Sequence, residues 1–208
     1  MSLKNTIKNK LLKFTVFSYL YNKVYCRYWT WRRYNVKIQG DKSSNRFEIP
    51  KDTCCEDLRI VCRGIDNFVK IGKRCTFKRS NTIYFQGDGN TVIIGDNTIF
   101  DGNDLIVCAE GTKCVIGSDC IIASKVHIRT TDQHNIYNQH DERVNPSKNT
   151  CVGNHVWLGD SVVVMKGTSI GDGSIIGLGS IVCHDIPNDS VAVGTPARVV
   201  KTNVYWKG

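Results

Sequence analysis

Residues 152–187 read VGNHVW LGDSVV VMKGTS IGDGSI IGLGSI VCHDIP, six consecutive hexapeptides without a change of phase. A period of six fits neither an α-helix nor one flat strand. It arises when the two-residue alternation of a strand is combined with a turn after each short strand. The first places are all aliphatic (Val152, Leu158, Val164, Ile170, Ile176 and Val182), and the fifth places are all small or β-branched. The stretch therefore predicts a parallel β-solenoid in which first-place side chains stack inside, coil upon coil.

The same repeat is present upstream, but it is interrupted. Hexapeptides begin at Ile71, Ile94, Ile116 and Ile122, and the changes of phase between them predict loops or bulges at the corners. Residues 132–150 then lose the repeat in a polar loop. Ile128 and Val152, on either side of it, are 24 residues apart, a multiple of six, so the solenoid can resume in register beneath an excursion. Irregular segments on a rigid scaffold are common sites of function.

Length and cysteine content limit the class of protein. The 208 residues suit one domain of moderate size or a solenoid with an appendage, and the ten cysteines are scattered without the paired spacing of a zinc site. We expect reduced, structural cysteines, with Cys75 and Cys120 buried at fifth places. The sequence has no run of eighteen apolar residues and no signal-peptide pattern, which favours a cytoplasmic protein.

The net charge of +9 comes entirely from residues 1–40, which contain nine basic and no acidic residues. Leu3, Ile7, Leu11 and Phe14 recur there at helical spacing, so residues 1–37 are expected to form a basic amphipathic helical segment. Such a segment could bind peripherally to the anionic inner face of a membrane, cap the solenoid, or attract an anionic polysaccharide. No nucleic-acid-binding motif accompanies it. The expected organisation is this segment, a solenoid over 38–187 and a closing strand and tail over 188–208.

Three further motifs point to a family: TDQHNIY at 131–137, VNP at 144–146 and NHVW at 154–157. With the repeat, they resemble the hexapeptide-repeat acyltransferases, in particular bacterial sugar and capsular-polysaccharide O-acetyltransferases of the maltose/galactoside and polysialic acid branches. The resemblance implies an all-β, left-handed parallel β-helix, a homotrimer, acetyl-CoA as co-substrate without a metal, and a carbohydrate acceptor. It covers roughly residues 71–205.

Acyl transfer to a hydroxyl needs a general base, and histidine is suited to that task near neutral pH. Of the five histidines, His134 opens the polar loop and matches the catalytic histidine of the family. Asp132 could fix the tautomer of its ring, as a carboxylate does in other acyl-transfer sites, although a backbone carbonyl could do so equally well. His127 and His155 lie at repeat places that should face outward or towards a neighbour.

The resemblance also assigns binding residues. Trp157 stands at an outward place and would line the channel near the thioester or acceptor, although an aromatic ring at a subunit contact is the alternative. The family's acetyl-CoA contacts fall on six positions: Asp160, Leu178, Cys183, His184, Arg198 and Lys201. Asp160 and the pair Cys183-His184 depart from the commoner residue types, so Arg198 and Lys201 are the firmer candidates for phosphate.

These features predict an acetyl-CoA-dependent O-acetyltransferase in which His134 deprotonates a sugar hydroxyl of a bacterial surface or capsular polysaccharide or its precursor. Two alternatives remain open. An N-acetyltransferase of a nucleotide-activated amino sugar would differ only in its acceptor, and a non-catalytic solenoid would serve as a scaffold or binding module.

Overall fold

The computed structural model describes residues 34–207, which form a parallel β-solenoid of about 7 turns. This described part contains 19 strands and no helix. The predicted helical segment therefore lies outside the described residues, except that residues 34–37 belong to the first strand. Between residues 34 and 207, no helix is long and apolar enough to cross a membrane.

Each turn crosses three faces, which we number in the order in which the chain meets them. The first face contains the opening residues of β3 (Cys54–Arg63) and β5 (Thr76–Gln86), then β7 (Ile99–Phe100), β10 (Ile121–Ile122), β13 (Trp157–Leu158), β16 (Ile175–Ile176) and β18 (Val191–Gly194). The second face contains β1 (Tyr34–Gln39), the later residues of β3 and β5, β8 (Leu105–Ala109), β11 (His127–Arg129), β14 (Val163–Val164) and β17 (Ile181–Val182). The third face contains β2 (Arg46–Glu48), β4 (Phe68–Ile71), β6 (Thr91–Ile94), β9 (Lys113–Ile116), β12 (Thr150–Val152) and β15 (Ser169–Ile170). The final strand, β19 (Ala197–Lys201), turns back and pairs antiparallel with β18.

The core is the stack of inward side chains that the repeat predicts. All first-place residues of 152–187 are buried, and so are the fifth-place residues Val156, Val162, Thr168, Ser174, Ser180 and Ile186. Burial of each large aliphatic side chain stabilises the fold by roughly 1.5–3 kcal/mol relative to exposure. Nearer the N-terminus the rings of Phe77 and Phe100 stack with centroids 4.7 Å apart. The predicted inward column is confirmed.

The cysteines follow the same pattern. Cys75 and Cys120 are free thiols, and both are completely buried. Burial raises the pKa of each of these two thiols to about 11. Such groups are inert, neutral core residues at physiological pH, as expected for reduced structural cysteines.

The changes of phase in the sequence all occur at one corner. Val152 stacks on Ile170 with 18 residues per turn, whereas Ile71 and Ile94 are 23 residues apart. The extra residues lie between the second and third faces, because Ile83 on the second face precedes Ile94 by 11 residues, whereas Val164 precedes Ile170 by only 6. We call this edge the second–third corner. The polar loop leaves the solenoid at the same corner, between β11 and β12.

A column of buried polar side chains runs along this corner to the base of the loop. The side-chain carbonyl of Asn67 accepts from the backbone N–H of Asn90 at 2.9 Å, and that of Asn90 accepts from Thr112 at 3.2 Å. The hydroxyl of Thr112 then donates to that of Thr130 at 2.6 Å. Because these groups are buried, each bond avoids the cost of an unsatisfied polar atom. The column therefore fixes the position from which the loop departs.

Candidate active site

The loop that carries His134 is closed at its base by the solenoid. The backbone N–H of Lys148 donates to the carbonyl of Thr130 at 2.9 Å, and the hydroxyl of Thr150 donates to the carbonyl of Arg129 at 2.8 Å. These bonds join the two ends of the excursion, so β12 resumes in register with β9 above it and β15 below it. The register predicted from Ile128 and Val152 is confirmed.

Asn145 ties the two halves of the loop together. Its side chain is buried, and its amide nitrogen donates to Asp132 Oδ2 at 2.9 Å and to the carbonyl of His134 at 2.8 Å. Its amide oxygen accepts from the backbone N–H of Ile136 at 2.6 Å. One side chain therefore fixes three alternate residues of the loop. Sequence reasoning identified Asn145 only as part of a motif, because its partners depend on how the loop folds back.

Lys166 approaches Asp132 from the turn of the coil beneath the loop. Its ammonium lies 2.6 Å from Asp132 Oδ2 and also donates to the carbonyls of Asn145 at 2.9 Å and Pro146 at 3.1 Å. Burial raises the pKa of Asp132, but the bonds from Lys166 and Asn145 outweigh burial, and the pKa lies below its usual value. Asp132 is therefore a charged group in the middle of a hydrogen-bond network. No motif in the sequence marks Lys166 as a partner of the loop.

His134 itself is exposed on the loop, held by its main chain. The hydrogen bonds of the Asp132 side chain within residues 34–207 go to Lys166 and Asn145, so Asp132 contacts the backbone support of His134. His140 is also exposed, further along the loop. Nearby, Arg143 pairs with Glu110 at 2.5 Å, which fixes the far side of the loop to the same corner of the solenoid.

Trp157 and two predicted cofactor residues lie on another part of the surface. Trp157 points outward from the first face with 42% of its surface exposed. Asp160 and Leu178 occupy the corner between the first and second faces, where the N–H of Gly179 donates to the carbonyl of Asp160 at 2.8 Å. The Asp160 carboxylate accepts from the backbone N–H of Ser124 at 2.9 Å, while the Leu178 side chain is 75% exposed. A narrow ligand could lie along this corner.

The remaining predicted cofactor residues gather at the end of the solenoid. Arg198 on β19 donates to His184 Nδ1 at 3.3 Å, and the thiol of Cys183 lies 3.3 Å from the same nitrogen. Because a guanidinium can only donate, Nδ1 accepts and the proton of the neutral ring is on Nε2. Lys201 is exposed on the same strand as Arg198. This arrangement leaves basic groups on the surface, where phosphates could bind.

The C-terminal tail supplies an aromatic residue that the sequence analysis did not assign. Trp206 stacks on His155 with ring centroids 4.1 Å apart, and its indole donates to the carbonyl of His155 at 2.8 Å. His155 Nε2 lies 3.0 Å from the carbonyl of Trp206 and must donate to it. The ring of Trp206 also lies 6.2 Å from that of Trp157. The tail is thus fastened beside the outward face of Trp157.

On a single chain, the predicted site residues fall into separate groups. The loop of His134 contacts the second–third corner through Glu110, Thr130 and Lys166. Trp157 belongs to the first face. Asp132 and His134 are both bonded to Asn145 on the loop, while the predicted cofactor residues follow other edges of the solenoid.

The chain matches curated acetyltransferases over part of its length, and no protein-family model matches it. It is 37% identical over 119 residues to the polysialic acid O-acetyltransferase of Escherichia coli O1:K1 / APEC, a match of 57% of this chain and 38% of that protein. It is 54% identical over 50 residues to the galactoside O-acetyltransferase of Escherichia coli K12, a match of 24% of this chain and 25% of that protein. The chain thus spans well under half the length of these two relatives.

Solved structures match more of the chain. The polySia-specific acetyltransferase NeuO superimposes with a TM-score of 0.62 and 29% identity over 84% of this chain and 88% of that chain. The polysialic acid O-acetyltransferase OatWY superimposes with a TM-score of 0.63 and 28% identity over 83% and 91%.

The fold is therefore the left-handed parallel β-helix of the hexapeptide-repeat acetyltransferases, as the family resemblance implies. The expected resemblance to sugar O-acetyltransferases is also confirmed, because homologues and structural neighbours alike are named acetyltransferases.

Proposed function

We propose that this chain is an acetyl-CoA-dependent O-acetyltransferase that modifies a sugar hydroxyl in a bacterial surface or capsular polysaccharide or its precursor. The observation that supports this most directly is the exposed His134, whose main chain is fixed by the buried Asn145 at 2.8 Å. A general base must be accessible to its substrate and held in place. The similarity to polysialic acid and galactoside O-acetyltransferases supports the choice of a carbohydrate acceptor.

In the proposed reaction, His134 accepts the proton of the sugar hydroxyl as the oxygen attacks the thioester carbonyl. The resulting tetrahedral intermediate collapses with cleavage of the carbon–sulfur bond. The coenzyme A thiolate leaves and takes the proton back from the imidazolium. The acetyl group moves directly between the two substrates, without a covalent enzyme intermediate, and the chemistry does not call for a metal ion.

The proposed site lies between two adjacent solenoids of a homotrimer. It is supported by their places in the fold: His134 lies on a loop anchored at the second–third corner, whereas Trp157 lies on the first face of the same chain. A ring of three identical chains would bring the loop of one chain to the first face of the next. Acetyl-CoA would follow the corner of Asp160 and Leu178, with its phosphates towards Arg198 and Lys201.

We also propose that the protein works in the cytoplasm and that residues 1–40 can bring it to the anionic inner face of the membrane. The composition of this segment supports the proposal, because it contains nine basic residues and no acidic residue. Clusters of basic residues beside apolar ones bind anionic lipid surfaces.

The test is an assay of acetyl-CoA consumption across a panel of glycans and nucleotide sugars, with mass spectrometry of the products. We expect acetyl esters on a carbohydrate. In His134→Ala, kcat/KM should fall on the order of 10² to 10⁴, the usual cost of losing a general base. His140→Ala, which removes the other exposed histidine of the loop, should leave the rate unchanged.

Three results would contradict the proposal. If His134→Ala keeps more than about a tenth of the activity, His134 is not the base. An acetylated amino group on a nucleotide sugar, without any polysaccharide product, would identify an N-acetyltransferase. Failure of the protein to bind acetyl-CoA in calorimetry would identify a non-catalytic scaffold.

A further inference from the structure

We infer that Lys166 is a positioning residue, which holds the loop and thereby places His134 for the reaction. This inference rests on the proposed function, since it concerns the same site. Lys166 lies in the turn between β14 and β15 and therefore belongs to the rigid scaffold. Its contacts with Asp132 and with the carbonyls of Asn145 and Pro146 all cross from that scaffold to the excursion.

The ammonium of Lys166 has the number of donors that the loop needs. A lysine side chain offers three N–H groups, and here three loop oxygens lie within 3.1 Å of Nζ. Only 15% of the Lys166 side chain and 27% of the Asp132 side chain are exposed. The pair is shielded from water and salt more than a surface ion pair is, so its loss should matter more than the loss of such a pair.

The backbone around Lys166 is itself fixed. The N–H of Met165 donates to the carbonyl of Val182 in the coil below at 2.9 Å, and the N–H of Gly167 donates to the carbonyl of Asn149 at 3.1 Å. The base of the lysine side chain is therefore held from two sides. Its tip contacts the loop and so relates the position of the loop to that of the scaffold.

From Lys166, three contacts lead to His134 through Asp132 and Asn145. Lys166 and Asn145 Nδ2 both bind Asp132 Oδ2, and the same amide nitrogen donates to the carbonyl of His134. Without the ammonium, a partly buried carboxylate would lose the cation bonded to it, and Arg143 would still contribute positive charge. The loop would then be free to rearrange. By the same contacts, the inference gives Asp132 a role in supporting the loop, while its ring-orienting role stays a prediction.

The first test compares Lys166→Met with Lys148→Met. The first variant keeps the apolar stem of the side chain and removes its three donors, and the second removes an exposed lysine of the same loop. We expect Lys166→Met to lower kcat about ten- to a hundredfold with KM for acetyl-CoA unchanged, because the base is misplaced while the cofactor groove is intact. Lys166→Arg, which keeps the charge, should recover part of the rate. A kcat for Lys166→Met within about twofold of wild type would overturn the inference.

A double variant tests the path through Asp132. If Lys166 and Asp132 act as one unit, Asp132→Asn and Lys166→Met together should cost no more than the worse single change. If Asp132 instead orients the ring of His134 independently, the two losses should multiply. Multiplying losses would therefore contradict the inference.

Hydrogen exchange separates this inference from the proposed function. In wild type, the N–H of Ile136 is bonded to Asn145 Oδ1 at 2.6 Å and should be protected. Its exchange should be at least about tenfold faster in Lys166→Met than in wild type or Lys148→Met. The exchange of the Ile136 N–H can be measured even if no acceptor is acetylated. In that case the proposed function is contradicted, but the role of Lys166 is not. Equal exchange in all three proteins would refute the role of Lys166 whether or not the enzyme is active.

Discussion

At the scale of single residues, the clearest titrating group outside the candidate site is Asp104. It is almost completely buried, at the corner between the first and second faces. Burial raises the pKa of its carboxyl to about 7, against the opposing effect of backbone N–H donors from Val126 at 2.8 Å and Gly102 at 3.0 Å. The folded protein therefore keeps this proton at pH values where the unfolded chain has lost it.

The sign of the pH dependence follows from this difference. Between pH values of about 4 and 7 the folded state binds more protons at Asp104 than the unfolded state, so the free energy of unfolding should decrease as the pH rises. The contribution is at most about 1.4 kcal/mol for each pH unit. Asp104→Asn should remove the contribution of Asp104 to the change of the free energy of unfolding with pH. Urea unfolding at about pH 5, 6, 7 and 8 measures this change. Asp66→Asn, a change at an exposed position, is the control, and equal slopes for wild type and Asp104→Asn would contradict the prediction.

At the scale of structural elements, the C-terminal tail provides a further prediction. Trp206 stacks on His155 and donates to its carbonyl, and the N–H of Val204 donates to the carbonyl of Asp189 at 3.0 Å. Trp206→Ala removes the stacking and one hydrogen bond, which together are worth about 2 kcal/mol. Exchange of the tail amides, measured by mass spectrometry, should therefore become roughly 30-fold faster. Tyr205→Ala, which removes an exposed ring from the same tail, should have little effect, and equal exchange in both variants would show that Trp206 does not hold the tail.

Most of the solenoid could be predicted because its determinants are local. Leu158, Val164 and Ile170 recur at a fixed spacing, and the geometry of a short strand followed by a turn sends each of them inward. The wider turns near the N-terminus could be recognised as changes of phase. Their common position at the second–third corner could not be predicted, because an insertion in the repeat does not show between which two faces the extra residues lie.

The supports of the candidate site are long-range contacts, and these were not predictable. Lys166 and Asp132 are brought together only after one coil has stacked beneath the loop, and Trp206 reaches His155 across 51 residues. A lysine in a turn is normally a solvated charge, and nothing in its neighbours in sequence marks it as a partner of Asp132. His134 could be identified by resemblance, whereas the residues that hold it required the folded chain.

At the scale of the whole molecule, the proposed trimer predicts that two inactive variants can complement each other. His134→Ala removes the base from the loop, and Trp157→Ala removes the exposed ring from the first face. Each variant alone should be strongly impaired. In the proposed ring, each site combines the loop of one chain with the first face of the next. About one third of the sites in every mixed trimer therefore have both residues intact. Mixed trimers should therefore recover about a third of wild-type activity.

The experiment uses two chains with different affinity tags, expressed together and purified through both tags, so that only mixed assemblies are assayed. Trimers that carry His134→Ala under both tags are the control and should stay inactive, because no chain supplies the base. If the mixed assemblies are as inactive as their parents, His134 and Trp157 do not form a site across two chains. Recovery would instead show that the scaffold supplies the groove from one chain and the base from its neighbour, because each parent lacks one of these residues on every chain.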